Sequence, residues 1–85
     1  MEKWTVGSAE DCDVRITDDP YVSNHHCEVT LRDDGTAWLE DLGSTNGTWL
    51  RFSHSAALVK VYGPIRVRPG NVLRVGRTEF PWEKK

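Results

Sequence analysis

Two short stretches concentrate the groups able to do chemistry. Residues 41–49 read Asp-Leu-Gly-Ser-Thr-Asn-Gly-Thr-Trp, and residues 22–27 read Val-Ser-Asn-His-His-Cys. The first sets the hydroxyls of Ser44, Thr45 and Thr48 around Asn46-Gly47, a tight-turn dipeptide in which both residues tolerate positive φ. The second puts Ser23 and Asn24 at a loop tip that leads into a strand. Hydroxyl, amide and backbone N–H donors gathered at strand ends suit an oxyanion, since hydrogen bonds to a charged acceptor run at about twice the strength of neutral ones.

Other chemistries fit less well. A hydrolase would need Ser23 or Ser44 with His25, His26 or His54 and an aspartate, but no Gly-x-Ser-x-Gly elbow is present, so no catalytic residue is expected. A zinc site built from Cys12, His25, His26 and Cys27 lacks Cys-x-x-Cys or His-x-x-x-His spacing, and consecutive strand residues point to opposite faces; no metal and no cofactor are expected.

The elements that must position these loops read as strands. Cys27 to Arg32 alternates, with Cys27, Val29 and Leu31 on one face, and Asp33-Asp34-Gly35 turns the chain into the run Thr36 to Glu40. Lys3 to Val6, Val14 to Ile16, Thr48 to Leu50, Leu58 to Tyr62, Ile65 to Arg68, Val72 to Val75 and Thr78 to Phe80 are further short strands between Gly, Pro and Asp punctuation. The segment 41–49 reads as the link between two of them at one end of a sheet. No long segment has helical periodicity. Trp4, Trp38 and Trp49 are expected in or over the core, and Trp82 at its base.

Eighty-five residues make one domain, 1–85. The net charge of −2 hides an acidic first half and a basic second half. Arg66, Arg68 and Arg74 alternate with Ile65, Val67, Leu73 and Val75, as on the wet face of a strand, and no aromatic platform is interleaved, so nucleic acid is not an expected partner. No apolar run is long enough to span a membrane, no signal peptide is evident, and Cys12 and Cys27 do not make a disulfide framework; the expected location is the cytoplasm.

Taken together, Gly7, then Ser23 with His26, then Asp41 with Ser44 to Thr48, resembles the pattern of the forkhead-associated (FHA) domain, a phosphothreonine-binding module. The 14 residues from Cys27 to Glu40 separate the second and third elements by the length of a hairpin. The resemblance implies an antiparallel β-sandwich of the SMAD/FHA-like type, missing one or two amino-terminal strands because only six residues precede Gly7. It implies a non-catalytic module docking a threonine-phosphorylated protein or a Ser/Thr kinase. Ser23, Asn24, Thr45 and Asn46 are implied to contact the phosphopeptide, and Gly7, His26, Asp41, Ser44 and Gly47 to brace the loops. The family usually has arginine after Gly7; here Ser8 stands there, and Arg15 is the candidate replacement charge. The alternative function is an interaction or oligomerisation module that no longer needs phosphate, with a homodimer formed through an uncovered sheet edge. Tyr21 and Arg51 are candidates for reading the peptide beyond its phosphate.

Overall fold

Strand alternation decides which side chains meet. In the structure, a computed structural model that describes residues 2–82, nine strands form: β1 (Glu2–Gly7), β2 (Val14–Arg15), β3 (Cys27–Leu31), β4 (Ala37–Asp41), β5 (Thr48–Arg51), β6 (Val59–Lys60), β7 (Ile65–Val67), β8 (Val72–Val75) and β9 (Thr78–Pro81). They build a sandwich of two sheets, one in the order β2-β1-β3-β4-β7 and the other β6-β5-β8-β9. Every second residue points inward: Val29 from β3, Leu39 from β4, Leu50 from β5 and Leu73 and Val75 from β8 are fully buried in one core. Burying such side chains contributes about 1.5–3 kcal/mol each. The all-β sandwich expected from the sequence is therefore the fold. Among the described residues, no helix is long and apolar enough to cross a membrane.

Several local expectations change. Segment 41–49 is not a hairpin: β4 lies in the first sheet and β5 in the second, so the loop passes from one layer to the other. Only Gly47 of the Asn46-Gly47 pair has positive φ (88°). The pair β1–β2 is parallel, with Val6 opposite Val14 and Gly7 opposite Arg15. A loop this short achieves that because β2 is only two residues long. The expected strand Leu58 to Tyr62 shrinks to Val59–Lys60, an edge strand with Tyr62 projecting into solvent at 84% exposure.

Two of the four tryptophans depart from expectation. Trp82 is buried and meets Trp4 edge-on at 5.6 Å between centroids, at the base of the core. Trp38 and Trp49 occupy the outward-facing alternate positions, covered by Arg32 and Lys60 respectively. Cationic heads over ring faces let outward tryptophans stay half-buried. Arg66 and Arg74 belong to different sheets, opposite Trp38 and Trp49 in register, so they do not form one basic stripe.

The sheet edges are blunted. Edges β2 and β6 have two residues each. Edge β7 has three and lies between Pro64 and Pro69. At edge β9, Trp82 N–H donates inward to Asn71 O (2.8 Å), so antiparallel alternation turns the backbones of Glu79 and Pro81 outward. Pro81 has no N–H to offer there. Short, proline-bearing, charged edges resist pairing with another chain. Beside β9 an apolar cleft of about 240 Å³ opens between the layers, lined by Trp4, Val14, Phe80 and Trp82 among others.

Candidate functional site

Three loops, 7–13, 20–26 and 42–48, meet at one end of the sandwich. The first two are laced by their backbones: Ser8 N–H donates to Ser23 O and Ala9 N–H to Asn24 O, both at 3.1 Å, and His26 N–H donates to Val6 O at 2.8 Å. Such closeness requires glycine at position 7. A β-carbon there would stand 2.0 Å from Asn24 O and 2.9 Å from Ser23 O, which no side chain tolerates.

His26 joins the second loop to the third. It is fully buried. Its Nδ1 accepts the Ser23 N–H at 3.0 Å, so the ring hydrogen sits on Nε2 and is donated to Gly47 O at 2.7 Å. Both ring nitrogens are thus engaged with backbone, which leaves His26 no role as a ligand or base. His25, by contrast, is exposed and pairs with Asp11 at 2.9 Å.

Asp41 holds the third loop together. Its Oδ1 accepts from the hydroxyls of Ser44 and Thr48, and its Oδ2 from Gly43 and Ser44 N–H, both at 3.0 Å. Ser44 Oγ in turn accepts from Gly47 N–H at 3.0 Å. Burial alone would raise the Asp41 carboxyl; the hydrogen bonds from Ser44, Thr48 and Gly43 outweigh it and hold the pKa below the ordinary aspartate value. Thr48, fully buried at the start of β5, is the point where this network enters the core.

With the frame fixed, the remaining polar groups converge. Ser23 Oγ accepts from Thr45 N–H at 3.2 Å, which leaves its own hydrogen to donate outward. Asn24 Oδ1 accepts from Ser8 Oγ at 3.0 Å, which directs the Asn24 Nδ2 donors away from Ser8. Asn46 Nδ2 donates to Tyr21 O at 2.9 Å, a second tie between the loops. Its carbonyl and other N–H have no protein partner among the described residues. Ser23, Asn24, Thr45 and Asn46 line one open depression with Pro20, Tyr21 and Val22. Arg15, on β2, donates from Nε to Ser8 O at 3.2 Å, so its guanidinium lies against the residue after Gly7.

The structure brings together every loop residue singled out in the sequence except Arg51, which pairs with Glu79 at 2.8 Å on the outer face of the second sheet. Sequence reasoning missed Asp19. This buried carboxylate accepts from Tyr21 N–H, Arg77 N–H and Thr78 Oγ1 at 2.9, 2.7 and 2.8 Å, and so ties the second loop to the β8–β9 turn. Desolvation would raise its pKa, yet the bonds from Thr78, Tyr21 and Arg77 lower it overall. The Asp19-Pro20 step marks a turn, but two of its three partners, Arg77 and Thr78, lie nearly 60 positions away. Cys12 and Cys27 are both free and buried. Burial pushes the Cys27 thiol up to about 12 and also raises that of Cys12, so neither is poised as a nucleophile.

Comparison with known proteins agrees with this geometry. The FHA domain pattern matches residues 4–76. FHA domain-containing protein FhaB of Mycobacterium tuberculosis is 40% identical over 74 residues, covering 86% of this chain and 42% of that protein. The FhaB of Mycolicibacterium smegmatis is 42% identical over the same length, with the same coverage. The chain therefore spans about two fifths of the length of these FhaB relatives. Among solved structures, the N-terminal FHA domain of Saccharomyces cerevisiae Rad53p, in complex with a phosphothreonine peptide, superposes with a TM-score of 0.72 at 32% identity, covering 88% of this chain and 56% of that one. The chain belongs to the FHA domain family.

Proposed function

We propose that this chain is a non-catalytic module that docks a threonine-phosphorylated segment of a partner protein or of a Ser/Thr kinase. The observation that carries the reading is the Ser23–Thr45 bond: it sets a serine hydroxyl with an undonated hydrogen at the junction of two loops, beside Asn24. In this reading Ser23 Oγ–H, Asn24 Nδ2 and the Thr45 hydroxyl donate to the phosphate. The unengaged carbonyl and N–H of Asn46 bond the peptide backbone. Arg15, braced on Ser8 O, supplies the positive charge that Ser8 does not. Gly7, His26, Asp41, Ser44 and Gly47 hold the loops in place without touching the ligand.

The fold supports a receptor that is already shaped, and the complex of a related FHA domain with a phosphothreonine peptide supports the ligand class. Two buried reduced cysteines are in keeping with a cytoplasmic setting. Three of the nearby carboxylates already have partners within the fold: Asp11 bonds the His25 ring, Asp13 accepts from Thr5 N–H, and Asp19 accepts from Arg77 N–H. The test is calorimetric titration with a phosphothreonine peptide library and its unphosphorylated counterpart, run on the natural chain and on Ser23→Ala. Binding only to the phosphorylated library, lost in Ser23→Ala, is expected. Equal binding to both libraries overturns the reading.

A further inference from the structure

Beside the depression, the first two loops bring three metal-ligating side chains to one place. Asp11 and Cys12 come from one loop and His25 from the other, and one ligand atom of each lies within 4.8 Å of the other two. His25 Nε2 stands 2.9 and 3.1 Å from the two Asp11 oxygens. Cys12 Sγ is buried and fixed, donating to Asn24 O at 3.1 Å. An ion pair accounts for Asp11 and His25 alone; the sulfur beside them completes a set of S, N and O donors.

We propose that Asp11, Cys12 and His25 form a zinc site with three protein ligands and a fourth position left to water or ligand. Zn²⁺ accepts this mixture of thiolate, imidazole and carboxylate, and tetrahedral coordination would separate the ligand atoms by roughly 3.4–3.6 Å. The Asp11–His25 separation is already close to that. Because both side chains are exposed, closing onto the fixed sulfur requires only rotamer adjustments, and the ion has a path from solvent. The loop backbones are set in advance by the Ser8–Ser23 and Ala9–Asn24 bonds and by Cys12 N–H donating to Ala9 O at 3.2 Å. Asp13 does not compete, since its carboxylate accepts from Thr5 N–H.

The same placement gives the ion an effect on its neighbour. Zinc would lock the first loop to the second one residue beyond Asn24. Exchanging the thiol proton for a dication would also make the ligand set less negative, next to an anion site short of one arginine. This consequence rests on the phosphopeptide reading; the metal site does not.

The experiment is titration of the reduced, metal-free chain with Co²⁺, followed by Zn²⁺ competition. A sulfur-to-cobalt charge-transfer band saturating at one equivalent and displaced by Zn²⁺ is expected. Zn²⁺ affinity should fall by about tenfold or more in His25→Ala and in Asp11→Asn, both exposed changes that leave the far-ultraviolet circular dichroism intact. Cys27→Ala should retain the band and Cys12→Ala should abolish it. If Cys12→Ala fails to fold, the two exposed variants decide. No band, or Zn²⁺ affinity unmoved by His25→Ala, overturns the site. Phosphopeptide titration with Zn²⁺ or with chelator then reads the coupling: tighter binding with Zn²⁺ supports it, and equal binding overturns it. A chain that binds no phosphopeptide in either condition overturns the earlier reading and leaves the metal result standing.

Discussion

Arg15 Nε donates to the backbone carbonyl of Ser8 at 3.2 Å, across the parallel pairing of β1 and β2. A cation is thereby held where the family's usual arginine would start, but it arrives from the neighbouring strand. Arg15→Ala is expected to weaken phosphopeptide binding about tenfold or more, the scale of one charge-assisted hydrogen bond. Its stability should change by less than about 0.5 kcal/mol, because the side chain is exposed. Calorimetry and urea unfolding of the same preparation separate the two effects. A fully retained affinity would show that Arg15 is not the replacement charge.

His26→Ala removes both bonds that connect Ser23 N–H to Gly47 O through the ring, and leaves a cavity. Stability should drop by roughly 3 kcal/mol, combining large-to-small truncation with unsatisfied backbone groups. Urea denaturation checks this. A loss below about 1 kcal/mol would mean that the loops are held by the Asn46–Tyr21 and Ser23–Thr45 bonds instead.

Gly7→Ala and Gly35→Ala form a matched pair. At position 7 the new methyl meets Asn24 O at 2.0 Å, so the loops must separate; a cost of about 3 kcal/mol or more and loss of binding are expected. At position 35 the φ of 85° is unfavourable for alanine but the space is open, and the cost should stay near 1–2 kcal/mol with binding unaffected. Thermal unfolding and peptide titration of both variants give the comparison.

Acid should loosen the third loop through Asp41. Its folded pKa lies below the unfolded value of about 3.9, so its contribution is complete above that pH and is lost as pH falls through the folded pKa. Thermal unfolding from pH 6 down to pH 2 should therefore fall more steeply below about pH 4 in the natural chain than in Asp41→Asn. Parallel curves for the two would remove Asp41 from the acid response.

The blunted edges bear on assembly. With Pro81 facing outward and β2 and β6 only two residues long, light scattering should give the mass of one chain at micromolar concentration. A concentration-dependent dimer mass would instead direct attention to the apolar cleft beside β9.

Much of the fold was legible because alternation is a local property: Cys27-x-Val29 and Ala37-x-Leu39 announce inward faces within a few residues. The loop braces were legible only through the family resemblance, since Ser23, His26 and Gly47 meet across more than 20 positions. What the sequence hid were contacts between distant, individually ordinary residues. Asp19 looks like any turn aspartate, and its role appears only when the β8–β9 turn is placed over it. Asn46-Gly47 misled for a related reason. The dipeptide reports a turn, but whether that turn folds back within one sheet or crosses to another is decided by Asp41 and Thr48.

That crossing has a consequence for how the protein could evolve. The loop that carries Thr45 and Asn46 is also the strap between the two layers, anchored by Thr48 in the core. Its conformation cannot be relaxed to suit a new peptide without loosening the grip of one sheet on the other. If Thr45 and Asn46 hold the ligand as proposed, affinity and heat resistance are coupled, and binding a ligand should raise the melting temperature through the same strap. On the proposed reading, new specificity is more easily gained at the rim, at Tyr21 or on the first loop, than by remodelling this segment.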